Sequence, residues 1–137
     1  MDFSGINWFA VIVAAVSAFM LGAVWYGTLL FGKRWQTLTQ LSDEELAEAN
    51  MGMIFGTAFV LTLIISLALA VLINAVLPAP GLVSGLLLGL EVSLVFVATS
   101  FGINYLFARQ PMALYGIDVG YMVAMFILMG AILGVWR

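Results

Sequence analysis

Glu91 is the residue whose type and position most directly suggest chemistry, because it is a carboxylate inside a long apolar run, Gly81 to Ala108. No Lys or Arg lies inside any apolar run to neutralise it. At about 1.5 Å per helical residue, Glu91, Ser17 and Ser66 lie roughly 15 Å from one end of their runs and are predicted to form one layer. Two interpretations stay open for this intramembrane polar site. It is either a proton- or cation-coupled transport site, or a neutral acid that joins helices by hydrogen bonds, within the bundle or across a dimer axis.

A second group of polar and aromatic residues is predicted towards the other end of the runs, roughly 6 to 10 Å from that membrane interface. Its members are Trp25, Tyr26, Thr57, Asn104 and Asp118. Asp118 is shallow enough for Lys33, Arg34 or Arg109 to reach it by extending along the apolar surface. We expect a hydrogen-bonded cluster that fixes helix packing, and the alternative is the polar vestibule of a pathway that opens to the cytoplasm.

Enzymatic chemistry is not expected from these carboxylates. Glu91 and Asp118 differ by about 12 Å in predicted depth, which is too far for two groups to share a proton or flank a scissile bond. The sequence has no His and no Cys, which removes thiolate nucleophiles, imidazole bases and Cys/His zinc sites. We therefore expect no catalytic residue, no metal site and no cofactor. Four basic residues form no positive stripe, so nucleic-acid binding is not expected either.

The elements that must position these residues are membrane-spanning helices. Of the 137 residues, 65% are hydrophobic and 8% are charged, and the mean hydropathy is +1.21. A helix needs about 20 apolar residues to cross about 30 Å of hydrocarbon. The sequence predicts an all-α integral membrane protein, a four-transmembrane-helix antiparallel bundle that forms one domain over residues 1–137. The predicted spans are residues 6–31, 53–77, 81–108 and 112–136.

The hydrophilic stretch between the first two spans contains a helix start. Ser42 is suited to cap a helix, and Glu45, three residues later, can complete a capping box. A short cytoplasmic helix is predicted to begin at Asp43 and lead into span two, with a bend near residues 50–52. The acidic run could alternatively bind a cation or a partner, although helix-start chemistry accounts for it without either.

Small residues recur at four-residue steps and predict close helix contacts. The predicted helix-packing positions are Gly81, Gly85, Gly89, Gly116 and Gly120. Such ladders favour packing within one chain and are also compatible with dimerisation, so a homo-oligomer, most simply a dimer, is expected in the lipid bilayer. The prolines between spans two and three break the helix, and this short connection predicts an antiparallel hairpin.

Basic residues predict the orientation. Lys33, Arg34 and Arg109 follow spans one and three, whereas the opposite side has Arg137 alone. The positive-inside bias therefore places those two loops in the cytoplasm and both termini outside, in the cell (inner) membrane.

The chain resembles, over essentially its full length, the bacterial membrane family called domain of unknown function 1761. The residues that support the resemblance are Trp25-Tyr26, Phe31-Gly32-Lys33, Trp35, Asn104-Tyr105-Leu106-Phe107, Gly120-Tyr121, Met129-Gly130 and Gly134-Val135-Trp136. Family members tend to have Asn where this chain has Asp118. The resemblance implies a four-helix membrane protein and supplies no activity. The function expected from the sequence is a structural or partner-binding role in the membrane, and the alternative is homo-oligomeric transport through Glu91.

Overall fold

The computed structural model describes residue 3 and residues 5–136, and that part of the chain is all-helical. Four of its helical segments are long and apolar enough to cross a membrane, which makes this a multi-pass membrane protein. The helices are α1 (Trp8–Trp25), α2 (Gly32–Thr39), α3 (Asp43–Glu48), α4 (Met51–Val76), α5 (Leu82–Val92), a π-helical segment (Ser93–Ala98), α6 (Thr99–Phe107) and α7 (Met112–Val135). The third span is therefore α5, the π-helical segment and α6 in continuous sequence.

The first span ends at Trp25 rather than at the predicted residue 31. Beyond Trp25 the chain turns, because the Phe31 amide donates to the Trp25 carbonyl (3.0 Å) and the Gly32 amide donates to the Gly27 carbonyl (3.0 Å). A Cβ at Gly32 would overlap the backbone oxygens of Tyr26 and Gly27, so this turn requires a glycine. It leads directly into α2, a helix that the sequence analysis did not predict.

The helix start at Asp43 is confirmed by its capping box. The Ser42 hydroxyl accepts from the Glu45 amide at 3.1 Å, and the Glu45 carboxylate accepts from the Ser42 amide at 2.8 Å. Helix α3 does not continue into span two, because it ends at Glu48 and the Asn50 side chain caps a new helix by accepting from the Met53 amide (3.0 Å). The predicted bend near residue 50 is thus a break between two helices.

Helix α7 lies at the centre of the bundle. It packs against α1, α4, α5 and the π-helical segment. Its inward residues include Met125 and Met129, which are almost completely buried. The connection between α4 and α5 does make them sequential and antiparallel, but α5 packs mainly on α7 and only slightly on α4.

The contact between α5 and α7 is made by glycines on both helices. A Cβ at Gly85 would overlap the carbonyl of Gly130, and one at Gly89 would overlap the carbonyl of Phe126. From the other side, a Cβ at Gly134 would overlap the carbonyl of Gly81. The two backbones therefore touch over three turns, and the ladder of span three is used for packing inside one protomer.

The two predicted packing glycines of α7 differ from that pattern. Gly120 meets a side chain rather than a helix backbone, since its Cβ would lie 3.0 Å from the indole of Trp25. Gly116 is exposed, and a Cβ there would meet no atom within 4 Å. Gly116 therefore takes no part in close helix packing among the described residues.

The π-helical segment interrupts the regular backbone hydrogen bonding of the third span, and hydroxyl groups donate hydrogen bonds to the backbone carbonyls around it. Thr99 donates to Val95 (2.6 Å), Ser100 donates to Phe96 (2.6 Å), and Tyr115 of α7 donates to Ala98 (3.0 Å). Backbone polar groups need such partners where no water is available. Four hydroxyls stabilise the segment in all, because the buried Ser93 also donates to the carbonyl of Leu90 (2.9 Å).

Candidate functional site

Asp118 joins three separate parts of the chain at one end of the bundle. Its Oδ1 accepts from the hydroxyl of Tyr26 at 2.7 Å, and its Oδ2 accepts from the hydroxyl of Tyr105. Tyr26 follows α1, Tyr105 belongs to α6, and Asp118 lies on α7. A single carboxylate therefore ties the ends of the first and third spans to the fourth.

Aromatic rings pack tightly around this carboxylate. The Tyr26 ring makes edge contacts with Trp35 (5.8 Å between centroids) and Tyr121 (5.3 Å). The Tyr105 ring contacts Tyr115 at 5.7 Å. Trp25 adds a hydrogen bond from its indole nitrogen to the carbonyl of Ile117 at 3.0 Å. The first-to-fourth-span contact thus combines ring packing with hydrogen bonds to polar groups of α7.

The structure brings together three of the five residues predicted for this cluster. Trp25, Tyr26 and Asp118 are joined, whereas Thr57 and Asn104 are exposed and have no side-chain hydrogen bond to Asp118. The hydrogen-bond donors to Asp118 are neutral phenols, not the basic side chains that were expected to reach it. A neutral donor satisfies a carboxylate oxygen without adding a second charge to the membrane.

Sequence reasoning missed the role of the tyrosines. The chain has four of them, and all four lie in or beside this cluster: Tyr26, Tyr105, Tyr115 and Tyr121. Tyr121 also donates to the carbonyl of Ala18 on α1 (3.3 Å). The sequence did contain a signal for this role, because all the tyrosines lie towards one membrane side, in the first, third and fourth spans. We call Asp118 with these four tyrosines and Trp25 the Asp118 cluster.

Glu91 lies on the outer surface of the bundle, so it joins no helices by hydrogen bonds within the described part of the protomer. Its side chain is exposed, as are those of Leu87, Leu94 and Val95 around it. No hydrogen bond joins Glu91 to Ser17 or Ser66, the residues predicted to share its layer. Ser66 is completely buried and donates to the carbonyl of Val11 at 2.9 Å, which ties α4 to α1. Ser17 is half-buried on α1.

The described residues also form an open groove, which lies apart from both carboxylates. They contain no group of three or more His, Cys, Asp or Glu side chains that could hold a metal ion. An open apolar groove of about 530 Å³ lies where α1, α5 and α7 meet, near the end of α7 opposite to Asp118. Its lining residues are Val13, Leu82, Ala131, Ile132, Val135 and Trp136. Neither Glu91 nor Asp118 borders this groove.

Comparison with known proteins identifies one family. No curated protein and no solved structure matches this chain. The family model DUF1761, described as a protein of unknown function, matches residues 9–134. That match includes the second and third spans, all but one terminal residue of the first and of the fourth, the Asp118 cluster and Glu91. The chain is therefore a member of the DUF1761 family of proteins of unknown function.

Proposed function

We propose that this protein is a non-enzymatic interaction protein of the membrane, which binds another protein through the outer face of its third span. The observation that carries the proposal is the outward position of Glu91. This residue lies nine positions after Leu82, or about 14 Å along the helix, and its side chain is exposed on the described chain. A single protomer in a bilayer would therefore hold a carboxyl group against lipid.

The energetic argument concerns the cost of that position. A carboxyl group near the middle of a bilayer costs about 2.5 to 3.5 kcal/mol on insertion scales. Polar side chains in membranes normally face the bundle interior or a protein surface, where hydrogen bonds offset this cost. In this chain the interior is filled mainly by apolar side chains and backbone contacts, and none of the hydrogen bonds among the described residues involves the Glu91 side chain. A protein surface that covers Glu91 supplies the missing partner.

The same observation bears on the transport alternative. Glu91 is on the outside of the protomer, so a transport pathway that used it would have to run between protomers rather than through one bundle. Association is thus the step that both functions need, and binding is the simpler of the two. The Asp118 cluster supports a structural role, because its tyrosine hydroxyls occupy both carboxylate oxygens.

The proposal includes a location and an orientation. We place the protein in the cell (inner) membrane with Lys33, Arg34 and Arg109 on the cytoplasmic side. This rests on the positive-inside bias. The fold is compatible with it, because α2 and the α6–α7 turn, which contain these basic residues, follow spans that run in the same direction. Both termini would then be outside.

The experiment is photo-crosslinking in intact cells. A photoreactive residue at Val95 probes the Glu91 face, and one at Ile64 is the matched control. Their exposed fractions are 53% and 58%. Val95, in the π-helical segment, and Ile64, on α4, lie thirteen and twelve residues from the same side of the membrane. We expect a protein adduct of one defined mass from position 95, lost on Glu91→Leu, and no such adduct from position 64. Lipid adducts alone at both positions would refute the proposal.

A further inference from the structure

We infer that the surface covering Glu91 is a second copy of this chain, related by a two-fold axis normal to the membrane, so that the two Glu91 carboxyl groups hydrogen-bond to each other. This inference rests on the proposed function and names its binding partner. In a two-fold interface the same patch is used by both copies, and residues near the axis meet their own equivalents. Because the axis is normal to the membrane, these equivalents lie at the same depth.

Hydrogen-bonding chemistry makes Glu91 its own complement. The protonated carboxyl is the less costly form in hydrocarbon, and it has one O–H donor beside its acceptor oxygen. Two such groups facing each other satisfy both donors. A Glu91 carboxyl that met an apolar surface would keep an unsatisfied polar group, which costs free energy.

Exposed side chains near the depth of Glu91 on α1 and α4 offer it no polar partner, and the hydroxyl of Ser17 at that depth is half-buried on α1. On α1 and α4 the exposed residues eight positions from the same membrane side are Val16 and Ala68, both apolar. Nearer the Asp118 end, Thr99 and Ser100 are exposed, but their hydroxyls already donate to backbone carbonyls. The membrane spans carry no Lys, Arg or His. A copy that placed these exposed apolar residues against Glu91 would leave the carboxyl unpaired, whereas a symmetric contact pairs it.

The surroundings of Glu91 suit a contact between two such helices. Leu87 precedes it by four residues and so lies on the same helical face, and it is 53% exposed. Val95 follows Glu91 by four residues and is also 53% exposed. Symmetry about an axis beside Glu91 would place Leu87 against Leu87 of the second copy, one helical turn from the Glu91 pair. The polar pair would then be enclosed by apolar contacts on both sides.

Cysteine crosslinking tests the geometry, because the chain has no Cys of its own. In membranes from cells that express Leu87→Cys, oxidation should give a covalent dimer of twice 14.8 kDa. Ile12→Cys is the matched control, since Ile12 is 50% exposed on α1 and lies four residues from the membrane side where Leu87 lies five. Equal dimer yields from the two variants would overturn the inference.

The role of the carboxyl is tested by association in phosphatidylcholine vesicles, measured by energy transfer between labelled copies. Glu91→Gln keeps a donor and an acceptor and should associate nearly as tightly as the wild type. Glu91→Leu should associate roughly five- to thirty-fold more weakly, the range that one or two interhelical hydrogen bonds supply. Wild-type association of Glu91→Leu would overturn the inference. Because Glu91 is exposed, neither substitution disturbs the packing of the protomer.

The two proposals fail in different ways. If the adduct from position 95 in cells has a mass that does not fit two copies, the second-copy inference is wrong and binding to another protein stands. If position 95 forms lipid adducts only, both are wrong.

Discussion

Replacing Gly85 by alanine should force α5 away from α7 and destabilise the protein. The new methyl carbon would overlap the Gly130 carbonyl and would lie 2.9 Å from the Cα of Gly134. Both are backbone atoms of a helix that α1, α4 and the π-helical segment also hold in place, so neither can move aside as a side chain would. Carbon atoms pack at about 3.5 to 4.0 Å, so the helices must separate by roughly 1 Å.

The magnitude follows from two opposing effects. A gap of about 0.5 to 1 Å removes a quarter to a half of the attraction at each affected contact, and overpacking of this kind typically costs about 1 to 3 kcal/mol. Alanine has a higher helix propensity than glycine, by at most about 1 kcal/mol. We therefore expect Gly85→Ala to lower the free energy of unfolding by about 1 to 2 kcal/mol. Gly116→Ala is the control, because a Cβ there meets nothing within 4 Å, and it should be neutral or slightly stabilising.

Unfolding of the purified protein in mixed detergent and dodecyl sulfate, followed by circular dichroism, measures the difference between the two variants. The contact between α5 and α7 is intramolecular, so the loss should not depend on protein concentration. Wild-type stability of Gly85→Ala would refute the backbone contact. A loss of equal size in Gly116→Ala would show that alanine is unfavourable in these helices for a reason unrelated to packing.

Three further predictions concern the rest of the chain. Asp118→Asn should lower the free energy of unfolding by less than about 1 kcal/mol, because an amide can still bond both phenols. Asp118→Leu should lower it by about 2 kcal/mol, because it leaves both phenols unpaired. Equal losses in the same unfolding assay would contradict this. The Ser42 amide, and then its hydroxyl, lower the pKa of Glu45, so the stabilisation of α3 should be fully present above the unfolded-state pKa and lost as pH falls through the lower folded-state pKa. Amide exchange in α3 measures this, and Ser42→Ala should reduce the pH dependence, so an unchanged profile would count against the capping box. Gln40→Cys should be protected from a membrane-impermeant thiol reagent in intact cells, and ready labelling would reverse the proposed orientation.

The sequence by itself determined the class of this protein and the start of α3. Apolar runs of sufficient length specify spans wherever they occur, because an unpaired backbone cannot stay in hydrocarbon. The Ser42–Glu45 capping box depends on residues three apart, so no distant contact was needed to predict it. The outward position of Glu91 was also available from the sequence. It follows Gly89 by two residues, which turns it by roughly 200° from the packed glycine face.

The Asp118 cluster was decided by tertiary structure. Tyr105 comes sixteen residues after Gly89, so in an uninterrupted α-helix it would point roughly 160° away from the face that packs on α7. A π turn takes up one additional residue and rotates the following helix by roughly 100°. This rotation brings Tyr105 to within roughly 60° of that face, and its hydroxyl donates to Asp118. The hydroxyl of Tyr115, on another helix, helps to satisfy the π-helical segment through Ala98. Hydropathy and depth along a helix carry no information about such a rotation, because contacts between helices distant in the chain stabilise it.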